Sequence, residues 1–135
     1  MKSKIIIVLA VFTTFFSCKN EVKEEVQPIV ENSITTEIQL IQFHTEHRCI
    51  TCNNIEKLSK ETIKGNEAIS FVLYNVDDEK NAKVAEQFEA TGTSLYLYNS
   101  KTRFTKDLTE MAFMYAKNEG DKFKTELQKE ISAFK

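Results

Sequence analysis

The segment 43–54, FHTEHRCITCNN, gathers both histidines of the chain and two of its three cysteines. Thiols and imidazoles at that density suit three chemistries: a dithiol that exchanges electrons, a soft-donor metal site, or a disulfide that only braces a loop. Cys49 and Cys52 are three residues apart. On a helix, residues at that spacing share a face with Cβ atoms roughly 5 to 6 Å apart, which brings a disulfide within reach. At the start of a helix Cys49 also meets unpaired N–H groups and the positive end of the dipole, both of which favour thiolate. Arg48, and His47 when protonated, act in the same sense, while Glu46 opposes them. This assigns attack to Cys49, resolution to Cys52, and tuning of the thiolate to Arg48 and His47. A staple closing so short a loop removes little chain entropy, so the spacing favours redox use over bracing.

The metal reading takes His44, His47, Cys49 and Cys52 as a quartet of zinc or copper ligands. All four would have to converge from one stretch of nine residues, and no second Cys-x-x-Cys or histidine pair exists elsewhere to close the shell. The expectation is therefore no resident metal, with this quartet as the alternative. Haem attachment through Cys-x-x-Cys-His is excluded, since residue 53 is Asn. Hydrolytic Cys–His catalysis lacks a third orienting group and an oxyanion hole. With three glycines in the whole chain and no glycine-rich loop, there is no flavin or nicotinamide fingerprint, and no cofactor is expected.

Which chemistry prevails depends on where the chain resides. Lys2 and Lys4 precede an uncharged apolar run from Ile5 to Phe16. A bilayer-spanning helix needs about 20 apolar residues, so the run reads as an export signal over residues 1–17. It ends on Phe15-Phe16-Ser17-Cys18, which resembles the bacterial lipoprotein signal; that resemblance implies acylation of Cys18 and lasting attachment to a membrane through several acyl chains. Phe15 and Phe16 depart from the usual flank of that signal. Residues 18–33 include the charged run KNEVKEEVQPIVEN and form a linker with the only proline, Pro28. Removing residues 1–17 takes the formal charge from −2 to −4, which gives no basic surface for nucleic acid. With Cys18 acylated, Cys49 and Cys52 are expected to remain as a pair in an oxidising, extracytoplasmic space, facing the periplasm, with the outer membrane as one candidate site of attachment.

Residues 34–135 suffice for one core. TEIQLIQFH, residues 36–44, reads as a strand covered on both faces. NNIEKLSKETIKG carries Ile55, Leu58, Thr62 and Ile63 on a helical stripe that stops at Gly65. AISFVLYNVD reads as a second strand, with Asp77 and Asp78 placed to cap a helix lined by Val84, Ala85 and Phe88. After the TGT at 91–93, SLYLY is a third strand, with RFTKD, residues 103–107, as its hairpin partner. Met111, Met114 and Tyr115 mark a short helix, Gly120 a break, and Phe123, Leu127, Ile131 and Phe134 a closing helix. Methionines 111 and 114 and tyrosines 96 and 98 are read as core and sheet-face residues.

Two strand–helix–strand crossovers, a hairpin and a closing helix give an α/β fold, a four-stranded mixed sheet flanked by helices on both faces. With Cys-x-x-Cys between the first strand and its helix, residues 36–135 resemble the thioredoxin fold. That resemblance implies thiol-disulfide exchange with a protein partner and a partner-facing loop at Thr93-Ser94. The chain departs from thioredoxins at Arg48-Cys49-Ile50-Thr51-Cys52, which lacks their Trp and Pro, and at Ser94, where they carry a cis-proline. A cis bond before serine costs about 2.5 to 4 kcal/mol, so Thr93–Ser94 is expected trans. RCITCNNIE, residues 48–56, together with Ser94-Leu95, resembles the ArsF-like, nitrophenyl-compound nitroreductase subunit family of small exported thioredoxin-fold proteins, which implies an accessory redox role.

Overall fold

The computed structural model describes residues 36–134. The expected export signal over 1–17, the expected linker over 18–33 and Cys18 lie outside those residues. Ile38–His44 forms β1, buried from Gln39 to Phe43. Ile50–Ile63 forms α1, whose buried residues Cys52, Ile55, Ser59 and Ile63 recur every three or four positions and so make one inward stripe. The chain leaves α1 through Gly65 at φ +82°, a left-handed conformation that glycine adopts without strain. Ile69–Asn75 forms β2, parallel to β1 from Ile38↔Ile69 to His44↔Asn75. Parallel neighbours need a long crossover, and α1 supplies it.

A 3-10 turn at Glu79–Asn81 follows, capped by the Asp78 side chain, which accepts from the Lys80 N–H. Ala82–Gln87 forms α2. Ser94–Asn99 forms β3, antiparallel to β1 with Phe43 opposite Ser94, and Thr105–Asp107 forms β4, antiparallel to β3. Thr109–Ala116 and Gly120–Ala133 form α3 and α4. The strand order is β2-β1-β3-β4, an α/β fold with a four-stranded mixed sheet of thioredoxin-like arrangement, as the sequence reading expects.

Alternation along the strands divides the core in two. Leu40, Leu95 and Leu97 join Ile55 of α1, Ala112 and Ala116 of α3, and Phe123, Leu127 and Ile131 of α4. Ile41, Phe43, Tyr96 and Tyr98 join Val84 and Ala85 of α2, Phe88 and Val72. Phe43, Phe88 and Tyr96 pack ring against ring at centroid distances of 5.3 to 5.9 Å. The Tyr96 hydroxyl donates to the Phe88 carbonyl at 3.1 Å, which satisfies the one polar atom this ring carries inward. At the α1–α4 contact Gly120 opens α4, and a Cβ there would lie 3.2 Å from Leu58 Cδ2. The glycine thus serves close helix approach as well as the break before it.

Three expectations need correction. Met114 is exposed (56 %), because α3 turns Ala112 and Ala116 inward and leaves Met111 and Tyr115 only partly covered. The hairpin partner is shorter than 103–107, since Arg103 takes a left-handed φ of 60° inside the turn and pairing begins at Thr105. Of the two aspartates, Asp78 alone caps the turn; Asp77 instead accepts from the Glu46 N–H at 2.7 Å and ties the segment ahead of the cysteines to the end of β2.

Candidate functional site

The site forms where β1 ends. The chain leaves His44, crosses Thr45–Arg48 and enters α1, while the register Phe43↔Ser94 sets Thr93 beside the same end of the sheet. Cys49 is the N-cap of α1: its backbone is extended (φ −81°, ψ 168°), and its sulfur accepts from the Cys52 N–H at 3.3 Å. Thiol capping takes the place of the usual Ser, Thr, Asp or Asn. Cys52 sits within the first turn of the helix and is buried, while Cys49 is exposed. Both are free thiols and their sulfurs lie 2.7 Å apart. The pair is arranged so that bond formation needs little side-chain movement.

The Cys49 thiol is held below the ordinary thiol range, first by its hydrogen bond with the Cys52 thiol and then by the Cys52 backbone N–H. Burial opposes the shift, and the Thr51 and Cys49 backbone N–H groups add to it. The sign is direct: a lowered value raises the thiolate fraction at neutral pH and hence the alkylation rate. In a Cys18→Ser background, Cys49 alkylation by iodoacetamide should reach half its maximal rate at a pH below that of an ordinary thiol. Cys52→Ala should move that midpoint upward, because it removes the largest contributor. An unmoved midpoint would show that the Cys52 thiol does not set it.

Arg48 is directed elsewhere. Its guanidinium pairs with Glu56 Oε2 at 2.6 Å and reaches the Cys52 carbonyl at 3.5 Å. Glu56 also pairs with Lys60 at 2.5 Å. Partial burial alone would push the Glu56 carboxyl up, yet hydrogen bonds from Lys60 and Arg48, together with their charges, hold it below the usual carboxylate range. Arg48 thus braces the first two turns of α1, with its charge committed to Glu56.

His47 is exposed, and its backbone carbonyl accepts from the Thr45 hydroxyl at 3.0 Å. His44 places Nδ1 2.8 Å from the Thr45 carbonyl; a carbonyl only accepts, so Nδ1 carries the proton. Among the described residues no three His, Cys, Asp or Glu side chains are gathered as a metal would need. His44 and His47 are not drawn together with the two sulfurs.

Thr93, distant in sequence at the entry to β3, reaches the pair: its Oγ1 lies 3.1 Å from Cys52 Sγ. The Thr93–Ser94 bond is trans, there being no cis peptide among the described residues. Ser94 is buried, and its hydroxyl lies 3.4 Å from the Gly92 carbonyl. A further residue passed unnoticed in the sequence. Gln42, fully buried in β1, donates from Nε2 to the Cys52 carbonyl at 3.0 Å, while its Oε1 has no partner among the described residues. Glutamine inside an apolar strand carries no local sign of such a role.

Sheet and site together define an α/β protein of thioredoxin-like arrangement, with a Cys-x-x-Cys pair where the first strand hands over to its helix. No family model matches the chain, and no curated protein matches it. A solved structure described as "Structure of a malarial protein" is similar at 18 % identity and a TM-score of 0.42, over 58 % of this chain and 94 % of that one.

Proposed function

We propose that this chain carries out thiol-disulfide exchange or electron relay with a protein partner through Cys49 and Cys52. The supporting observation is the asymmetry of the pair: two free sulfurs 2.7 Å apart, one exposed at the mouth of α1 and the other buried behind it. In one direction, the Cys49 thiolate attacks a partner disulfide. A mixed disulfide forms and one partner sulfur leaves with the electron pair. Cys52 then attacks Cys49 Sγ, the mixed bond breaks, and the second partner sulfur leaves. The partner gains two electrons and two protons, and Cys49–Cys52 becomes the disulfide. The reverse sequence oxidises a partner dithiol.

In this reading the apolar N-terminal run acts as an export signal and Cys18 as a lipid anchor, so that the activity faces an extracytoplasmic space in an accessory redox role of the kind that the ArsF-like resemblance implies. One experiment tests chemistry and location together. Protein from the membrane fraction is equilibrated across a series of reduced and oxidised glutathione, its free thiols are blocked with maleimide, and intact mass is read. The expected spectrum shows a chain beginning at Cys18 with added acyl mass, whose other two thiols interconvert with a disulfide in a single two-electron transition. A pair that never re-oxidises removes the exchange reading. An unprocessed, unacylated chain removes the anchor.

A further inference from the structure

We propose that Thr93 readies Cys52 for the second half of the exchange, its hydroxyl donating to the Cys52 sulfur as that sulfur becomes a thiolate. This rests on the exchange reading above and concerns the step that follows the first attack.

Cys52 is 5 % exposed, so water does little to solvate charge on its sulfur. Two polar side-chain neighbours of that sulfur are found among the described residues: Cys49 Sγ at 2.7 Å and Thr93 Oγ1 at 3.1 Å. Once Cys49 is bonded to a partner it has no S–H left to donate. Of the two neighbours, Thr93 is then the remaining donor, at the stage when Cys52 must carry charge. Among the described residues no cation is hydrogen-bonded to that sulfur; the guanidinium of Arg48 pairs with Glu56 and bonds the Cys52 backbone carbonyl. Gln42 likewise engages the Cys52 carbonyl and not its sulfur.

The placement of Thr93 suits this task. It is half-buried, at the end of the loop that enters β3, with its hydroxyl on the enclosed sulfur. A thiolate can only accept, so in that state the hydroxyl must donate. In the step itself, the Cys52 thiol loses its proton to water and the resulting thiolate attacks Cys49 Sγ. The Cys52–Cys49 bond forms as the bond from Cys49 to the partner breaks, and the electron pair leaves on the partner sulfur, which takes a proton from water. Thr93 touches the reacting sulfur throughout and exchanges no atoms.

The test uses the full chain in a Cys18→Ser background, reduced and mixed with a substoichiometric amount of the aryl disulfide 5,5′-dithiobis(2-nitrobenzoate). The first coloured aryl thiolate reports attack by Cys49, and the second reports resolution by Cys52. Thr93→Val keeps the shape of the side chain and removes the donor. It should leave the first release within about twofold and slow the second about tenfold, as suits loss of one hydrogen bond to a charged atom. Thr93→Ser should restore the second release to within about twofold of the parent, a rescue that a purely packing role would not give. A second release in Thr93→Val as fast as in the parent, or no rescue by Thr93→Ser, overturns the role of Thr93 and leaves the exchange reading standing. Absence of any second release in the parent overturns the exchange reading, and this inference with it.

Discussion

Cys52→Ser is expected to turn a fleeting covalent intermediate into one that can be isolated from cells. In the proposed exchange, a mixed disulfide on Cys49 would lie beside a second sulfur that starts 2.7 Å away. Well-placed intramolecular groups act as if present at about 10⁵ to 10⁸ M, far above the millimolar thiols that would otherwise have to do the work. Removing the Cys52 sulfur should therefore lengthen the life of the intermediate at least about a thousandfold. Non-reducing electrophoresis of acid-quenched whole cells should show a higher-mass species in Cys52→Ser that collapses on reduction. Cys49→Ser, which lacks the exposed sulfur, should show none. Equal amounts of that species in both variants would mean that Cys49 is not the attacking group.

The second large effect is on stability. Phe123→Ala should cost about 3 to 5 kcal/mol, because the ring is fully buried among residues of α1, α3, α4 and the sheet, and truncation leaves a cavity that a packed core only partly refills. A domain of this size holds roughly 5 to 15 kcal/mol in all, so the variant should sit near the edge of folding. Urea denaturation should show a lower midpoint with an unchanged slope. Phe113→Ala on α3 is the matched control: that ring is 43 % exposed and should cost about 1 kcal/mol or less. If Phe123→Ala lost no more than Phe113→Ala, the division of the core described above would be wrong.

Much of this architecture is legible in the residues themselves. β1 and β2 announce themselves as dense apolar runs, and the stripe through Ile55 and Ile63 with Gly65 behind it marks α1 and its stop. Placing the cysteines at the start of α1 follows from the same pattern. Elsewhere, local signals mislead. A reading by large apolar residues puts Met114 inside, whereas the inward face of α3 is made by Ala112 and Ala116, which are too small to stand out in a hydrophobic pattern. The pairing of Arg48 with Glu56, two turns along the helix, likewise could not be read from its place next to Cys49. Asp77 looks like a cap and serves as a long-range tie to Glu46. Thr93 could be assigned to a loop facing the cysteines only through the fold resemblance. Its contact with one particular sulfur, 41 positions away, has no local trace.

The amide of Gln42 under the Cys52 peptide has a wider consequence. Its side chain neither gains nor loses a proton over the range in which proteins stay folded, so acidification leaves the floor of the site uncharged. A carboxyl at that fully enclosed position would be driven to take up a proton, and its titration would strain the packing each time the surroundings changed. With glutamine there, a change of pH leaves the charge at the base of the cysteine pair unaltered.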